Sequence, residues 1–126
     1  MASVQSRSAT ELLQLPVQLH GIRLGQPVDL LLDPKEWRAL GFVVLCGDGS
    51  RRFLVFAAAD VREEAIELRS ALVLLEDVDF YRQGSRSLRE LLSGDVSDLR
   101  VVPGGTVEEV MLKKGERVES ESVSTA

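Results

Sequence analysis

Between Leu19 and Phe56 the chain carries three apolar runs of strand length, at residues 24–33, 37–46 and 53–56. The connections between them are short: Asp33-Pro34-Lys35-Glu36 in one case, and a turn built on Gly47-Asp48-Gly49 in the other. A parallel pair needs a crossover of about a dozen residues or more, so these runs predict antiparallel neighbours. Side chains alternate along a strand. In the first run Val28, Leu30 and Leu32 therefore share one face, with Asp29, Leu31 and Asp33 on the other. In the second run Leu40, Phe42, Val44 and Cys46 oppose Ala39, Gly41, Val43 and Leu45. Both faces of this pair are apolar. Something must cover the outer one, either a later helix of the chain or a second subunit.

Shorter signals flank this centre. Thr10-Glu11-Leu12-Leu13 predicts one helical turn, and Val17-Gln18-Leu19 a strand whose preceding Pro16 suits a strand start. A hairpin follows at 21–25, where glycine takes positive φ without steric cost. Residues 65–68 read as a fifth short strand and 70–77 as an irregular strand running into a turn. Ser87-Leu88-Arg89-Glu90 has the capping-box pattern, Leu88, Leu91 and Leu92 give the helix an apolar face, and Gly94 suits its end. Leu99 to Val102 reads as a strand before a Gly104-Gly105 turn. The segment Gly105-Thr106-Val107-Glu108-Glu109-Val110-Met111-Leu112 then repeats the plan of Gly25-Gln26-Pro27-Val28-Asp29-Leu30-Leu31-Leu32: glycine first, an acid fifth, three apolar residues last. An incomplete copy of a hairpin cannot bury its own apolar face, so it docks on the first sheet, swaps into a partner or stays poorly ordered.

The organisation expected is a flexible N-terminus over 1–11, a main domain over 12–94, the partial copy over 95–115 and a polar, disordered tail over 116–126. The fold class expected is mainly β, a small antiparallel β-barrel with one or two short helices. Its interior-facing candidates, Val28, Leu30, Leu40, Phe42, Val44 and Val55, are bulky enough to fill a barrel of this size.

The central stretch resembles the PRC-barrel family, named for the cytoplasmic domain of the photosynthetic reaction-centre H subunit. The likeness is carried by Gly21, Gly25, Asp29, Leu32 and Asp33, by Gly41-Phe42-Val43-Val44, and by Arg52-Phe53-Leu54. Ala59-Asp60-Val61 before Ala65-Ile66-Glu67-Leu68 fits the family's next element, so the resemblance spans about Leu12 to Leu92. It is a likeness of pattern rather than of a rigid motif. It implies the barrel, and a role in contacts with other proteins. The reaction-centre subunit has a membrane-spanning helix ahead of its barrel, which this sequence lacks, and a photosynthetic role is not expected. The family's ribosome maturation factor docks its barrel on a small-subunit ribosomal protein. That factor also has an N-terminal barrel, for which there is no room before Leu12.

Chemistry-bearing residues are few. His20 is the lone histidine, with no nucleophile or second histidine in its pattern, and reads as a turn residue. Asp29, Asp33 and Glu36 place carboxylates at one strand end, where an aspartate anchors turns by accepting backbone N–H groups. Asp77 and Asp79 lack the glycine and the closing glutamate of a calcium loop. Cys46, the single cysteine, excludes an internal disulfide and reads as a small core residue. Arg82, Arg86 and Arg89 surround the capping box and Arg51-Arg52 follow the glycine turn. Arginines near a helix start favour anions, but Glu63, Glu64, Glu76, Asp77, Asp79 and Glu90 offset them. Trp37 and Tyr81 are the only large candidates for base stacking. A net charge of −5 argues against nucleic acid as a direct ligand. No apolar run approaches the roughly 20 residues of a membrane span, and the polar N-terminus has no signal-peptide core. A cytoplasmic location is expected.

The functional expectation is a non-enzymatic protein–protein interaction or scaffold module, self-associating as a dimer, with no cofactor and no metal. Its partner is unspecified. Candidate contact positions are Leu31, Val43, Leu45 and Leu54 on the outer sheet face, and Arg82, Arg86 and Arg89 beside the short helix. On this reading a charge at Leu31 or Val43 breaks an oligomer and leaves a folded monomer. The alternatives are an accessory factor in RNA metabolism or ribosome maturation acting through a ribosomal-protein contact, and a small-ligand-binding barrel.

Overall fold

The computed structural model describes residues 6–113 of the chain. The fold is mainly β, with three short helices among the described residues. In chain order the elements are β1 (Arg7–Ser8), α1 (Ala9–Leu12), β2 (Val17–Leu19), β3 (Ile22–Asp33), β4 (Arg38–Cys46), β5 (Arg51–Val55), β6 (Asp60–Val61), β7 (Ile66–Leu68), β8 (Leu74–Leu75), α2 (Val78–Arg82), β9 (Arg86–Ser87), α3 (Leu88–Ser93), β10 (Val96–Val101) and β11 (Val107–Leu112). The larger sheet runs β6-β7-β2-β3-β4-β5-β8, with β9 beside β3, and the smaller runs β1-β10-β11. Among the described residues β6 and β8 end the larger sheet without pairing to each other, so its hydrogen-bond ladder stays open.

The three central runs form the antiparallel set β3-β4-β5 for the reason their connections suggest. His20 and Gly21 turn β2 into β3 with φ of 53° and 78°, and Leu19 faces Ile22 across the turn. Positive φ at both central residues is the two-residue hairpin geometry that matches strand twist, and glycine takes the second place without a Cβ penalty. Gly41 answers a different need. A Cβ there would collide with the Leu54 carbonyl oxygen, so the close approach of β4 and β5 admits no side chain.

Simple alternation mis-assigns residues of β3, β4 and β5. The β3–β4 register shifts between Pro27 and Asp29, and again between Leu31 and Leu32, where Gly41 and Ala39 are successive partners. The two extra residues are Val28 and Leu40. Each bulge inserts one residue and flips the face that follows. Val28 and Leu40, expected inside, lie in the outer cluster with Leu31, Val43, Phe53 and Val78. Val55 lies there as well, and Ala39 turns into the main core. Leu54, expected on the outer face, is fully buried in the main core. The bulge beside Pro27 also accommodates a residue with no N–H to give, at a point where β2 has already ended opposite Gly25.

The main core lies between the larger sheet, the smaller sheet and the two helices α1 and α3. Its fully buried members include Leu30, Phe42, Val44, Leu54, Ile66, Leu88 and Leu99. The hairpin β10–β11 docks on the larger sheet within the same chain. The Ala39 N–H donates to the Gly105 carbonyl at 2.7 Å, the Val107 N–H donates to the Trp37 carbonyl at 2.8 Å, and Thr106 bridges to Arg38. At the other end of the smaller sheet, Arg7 and Ser8 pair with Val101 and Arg100, and Ala9 is fully buried. Within the stretch expected to be flexible over 1–11, Arg7 to Ala9 are thus part of the packed fold. Residues 1–5 and the tail expected over 116–126 lie outside the described residues.

The outer face of β3–β4–β5 is covered by the chain itself. Helix α2 lays Val78 and Tyr81 on it, and the Tyr81 ring stacks on Phe53 with centroids 4.1 Å apart. Leu31 is 1% exposed and Val43 is 0% exposed. This corrects the expectation that Leu31, Val43 and Leu54 are contact positions. Helix α2 buries Leu31 and Val43, while Leu54 lies in the main core.

Candidate functional site

Two aspartates organise the starts of α3 and α1, and they do so in the same way. Asp29 of β3 is 4% exposed. Its Oδ1 accepts the Leu30 N–H at 2.8 Å and the Arg89 N–H at 3.1 Å, and its Oδ2 accepts the Ser87 hydroxyl at 2.6 Å. Ser87 caps α3 by accepting the Glu90 N–H at 3.3 Å. In the smaller sheet, Asp98 Oδ1 accepts the Leu99 N–H at 2.7 Å and the Thr10 N–H at 3.1 Å, while Oδ2 accepts the Ser8 hydroxyl. Ser8 caps α1 by accepting the Glu11 N–H at 3.3 Å. In each case the serine faces the residue two places after the aspartate, Leu31 or Arg100. The capping segments match in sequence as well: Arg7-Ser8-Ala9-Thr10-Glu11-Leu12-Leu13 against Arg86-Ser87-Leu88-Arg89-Glu90-Leu91-Leu92. Both carboxylates satisfy orphan donors of a helix start. They hold structure, and among the described residues no second carboxylate shares a hydrogen bond with either.

Asp98 also sets a pH dependence. Burial favours its protonated form, but the Ser8 hydroxyl, the Thr10 and Leu99 N–H groups and the Thr10 hydroxyl outweigh burial and hold its carboxyl below the ordinary 3.8. A carboxyl depressed in the folded state contributes stability above its unfolded value, and that contribution is lost as pH falls through the folded value. The expected result is a wild-type urea midpoint that falls more steeply than that of D98N as pH drops below about 4. Parallel pH curves for the two proteins would show that folding does not depress the Asp98 carboxyl.

The arginines expected near the capping box divide. Arg82 Nη1 stands 3.8 Å from Asp29 Oδ2 and Arg89 Nη1 donates to the Val28 carbonyl at 3.3 Å, while Arg86 is exposed on β9. Arg82 reaches another feature too, a shallow depression of about 320 Å³ shared with Arg51, Glu76, Asp77, Val78 and Asp79. Its acids and bases are mixed, which gives no single-sign field for phosphate. Asp33 accepts the Lys35 and Glu36 N–H groups at 2.8 and 3.4 Å, a turn-anchoring role. His20 lines an open groove of about 890 Å³ along with Glu67, Leu68 and Arg69. In that groove Asp60 is paired with Arg62 at 2.7 Å. Among the described residues no three His, Cys, Asp or Glu side chains gather to hold a metal ion.

One feature escapes sequence reasoning. Phe80, on the solvent side of α2, is 62% exposed. It is braced: its ring meets Tyr81 edge-on at 5.1 Å, and Tyr81 stacks on the buried Phe53. Leu45, the one predicted outer-face residue that remains accessible, is 37% exposed and shares its strand face with Val43 by alternation. Leu72, just before β8, is 87% exposed. The short segment 76–82 gave only its acids as a sequence signal, and a five-residue helix is too brief to show periodicity.

No family model matches the chain, and no curated protein matches it. No helix among the described residues is long and apolar enough to cross a membrane.

Proposed function

We propose that this chain is a non-enzymatic protein-interaction module whose contact surface is centred on Phe80. The observation that carries the reading is a large aromatic ring, 62% exposed, that rests edge-on against Tyr81, itself stacked on the buried Phe53. An isolated exposed phenylalanine on a loop would be ordered only on binding, at an entropic cost. Phe80 stands on a stacked pair that continues into the core, so that cost is already met by folding. The charged rim of Arg51, Glu76, Asp77, Asp79 and Arg82 around a neighbouring depression is the polar surround that interface anchors have.

We propose further that the scaffold of this module is PRC-barrel-like. It is supported by Gly21, Gly25, Asp29 and Asp33 standing on the antiparallel run β2-β3-β4-β5. Two roles fit these positions. Gly21 makes the tight turn, and Asp29 ties the distant α3 back onto the sheet. The partner is a protein with an apolar pocket for an aromatic ring, met in the cytoplasm.

The test is capture from cell extract with the tagged full chain, after nuclease treatment and at two salt concentrations, comparing wild type with F80A. The expected result is a protein retained at both salts by wild type and reduced about tenfold or more by F80A, the loss of one hot-spot anchor. Thermal unfolding of F80A should match wild type, because the ring is largely in solvent. Equal capture by F80A would remove this surface. Recovery that depends on nucleic acid would favour the RNA-metabolism alternative.

A further inference from the structure

The described sheets have four ends, and only one of them is long. β1, β6 and β8 are two residues each, the usual way to blunt a sheet edge. β11 has six residues and β10 on one side only. On its other side the contacts to Trp37 and Arg38 stop at Val107. From Glu108 to Leu112 no strand among the described residues pairs with that edge. Val110 is 40% exposed and Leu112 is 63% exposed, so apolar side chains stand in water beside unpaired backbone.

We infer that this edge takes the same strand of a second copy of the chain, antiparallel and centred on Met111. The sequence Glu109-Val110-Met111-Leu112-Lys113 is complementary to its own reverse. With Met111 facing Met111 of the second copy, Val110 faces Leu112 and Glu109 faces Lys113, each pair occurring twice. A two-fold interface demands this reciprocity, in which residue i meets j and j meets i. Opposite charges and apolar pairs directly across antiparallel strands are favourable, and like charges there are not. A slip of one residue sets Glu109 against Leu112, or Val110 against Lys113, and loses the match. Two glutamates on a bare edge ordinarily repel a neighbouring strand, and a net charge of −5 strengthens the repulsion. The lysine at the far end makes one antiparallel partner acceptable. The result is a continuous six-stranded sheet, β1-β10-β11 joined to its symmetry mate. This deepens the interaction-module reading, on which it rests, by assigning self-association to a surface separate from Phe80.

The experiment is sedimentation equilibrium of the full chain as wild type, E109K, K113E and E109K/K113E. Glu109 is exposed and makes no side-chain hydrogen bond among those described, so E109K should fold as wild type does. Lys113 Nζ, by contrast, donates to the Leu92 carbonyl at 2.8 Å and must exchange that bond for Glu109 of the second copy. K113E is therefore compared with K113M, which removes the same bond without reversing the charge. The expected wild-type state is a dimer. Each single change sets like charges across the two-fold and weakens it about tenfold or more, while the double variant restores opposite charges and returns to within about threefold of wild type. The variant M111C should also form a covalent dimer under mild oxidation in a C46S background. A wild-type monomer, a dimer indifferent to E109K, or a double variant as weak as the singles would overturn the inference. F80A serves as the separating control. It should leave the dimer unchanged, and a failed dimer with intact Phe80-dependent capture would sink this inference while leaving the module reading in place.

Discussion

Val43→Asp is expected to unfold the chain rather than dissociate an assembly. Val43 is wholly buried beneath α2, among Leu31, Phe53 and Val78. Its burial contributes about 1.5 kcal/mol or more, and a carboxylate in its place has no partner among these apolar neighbours. The combined loss should be at least about 4 kcal/mol, a large share of the stability of a domain this size. Leu31→Asp should behave alike. Circular dichroism and urea titration test this directly: a V43D protein that unfolds cooperatively at the wild-type midpoint, with only its mass changed, would mean that the outer face is an intermolecular surface after all.

Asp29→Ala should be the most damaging change to a polar residue. It strands the Ser87 hydroxyl and the Arg89 N–H, both close to the core, and releases the start of α3 from β3. The expected cost is about 3 kcal/mol, within the range for breaking a buried, charge-assisted set of bonds. Two companion variants show which contact dominates. S87A removes one hydroxyl and one cap and should cost about 1–2 kcal/mol. R82A removes an ion pair at 3.8 Å whose arginine side chain is 42% exposed, and should cost under about 1 kcal/mol. Urea midpoints in the order R82A, S87A, D29A from mildest to worst are predicted. A loss in R82A as large as that in D29A would show that the ion pair, not the helix cap, holds this corner.

Most of the strands were legible because they are bounded by residues whose physics is local. Gly21, Gly47, Gly49 and Gly105 mark turns, and apolar runs between them have little choice but to pair. Face assignment failed where the cause was not local. A bulge beside Pro27 has a weak signal in the proline, while the bulge at Leu40 has none, because it answers the packing of Ala39 against the core. The capping box at Ser87 could be read from four residues. Its anchor Asp29 could not, since 58 residues separate the two. The twin arrangement at Ser8 shows the same limit: Ser8 and Glu11 carry the capping pattern, but what gives it order is Asp98, 90 residues away. The two apolar faces of β3 and β4 demand a cover, but the five residues of α2 that supply it are too few to show periodicity. Phe80 belongs to the same blind spot. Whether an aromatic is core or surface depends on which side of a short helix faces the sheet.

The most direct test of the interaction surface is site-specific photo-crosslinking in growing cells, with a photoreactive phenylalanine analogue at position 80. A second site at Glu63, in the turn between β6 and β7 at the opposite end of the larger sheet, serves as the comparison. A discrete crosslinked protein is expected from position 80 and none of that mass from position 63, unaffected by nuclease. Crosslinks of equal yield at both positions, or none at 80 under conditions where the chain is folded, would contradict it.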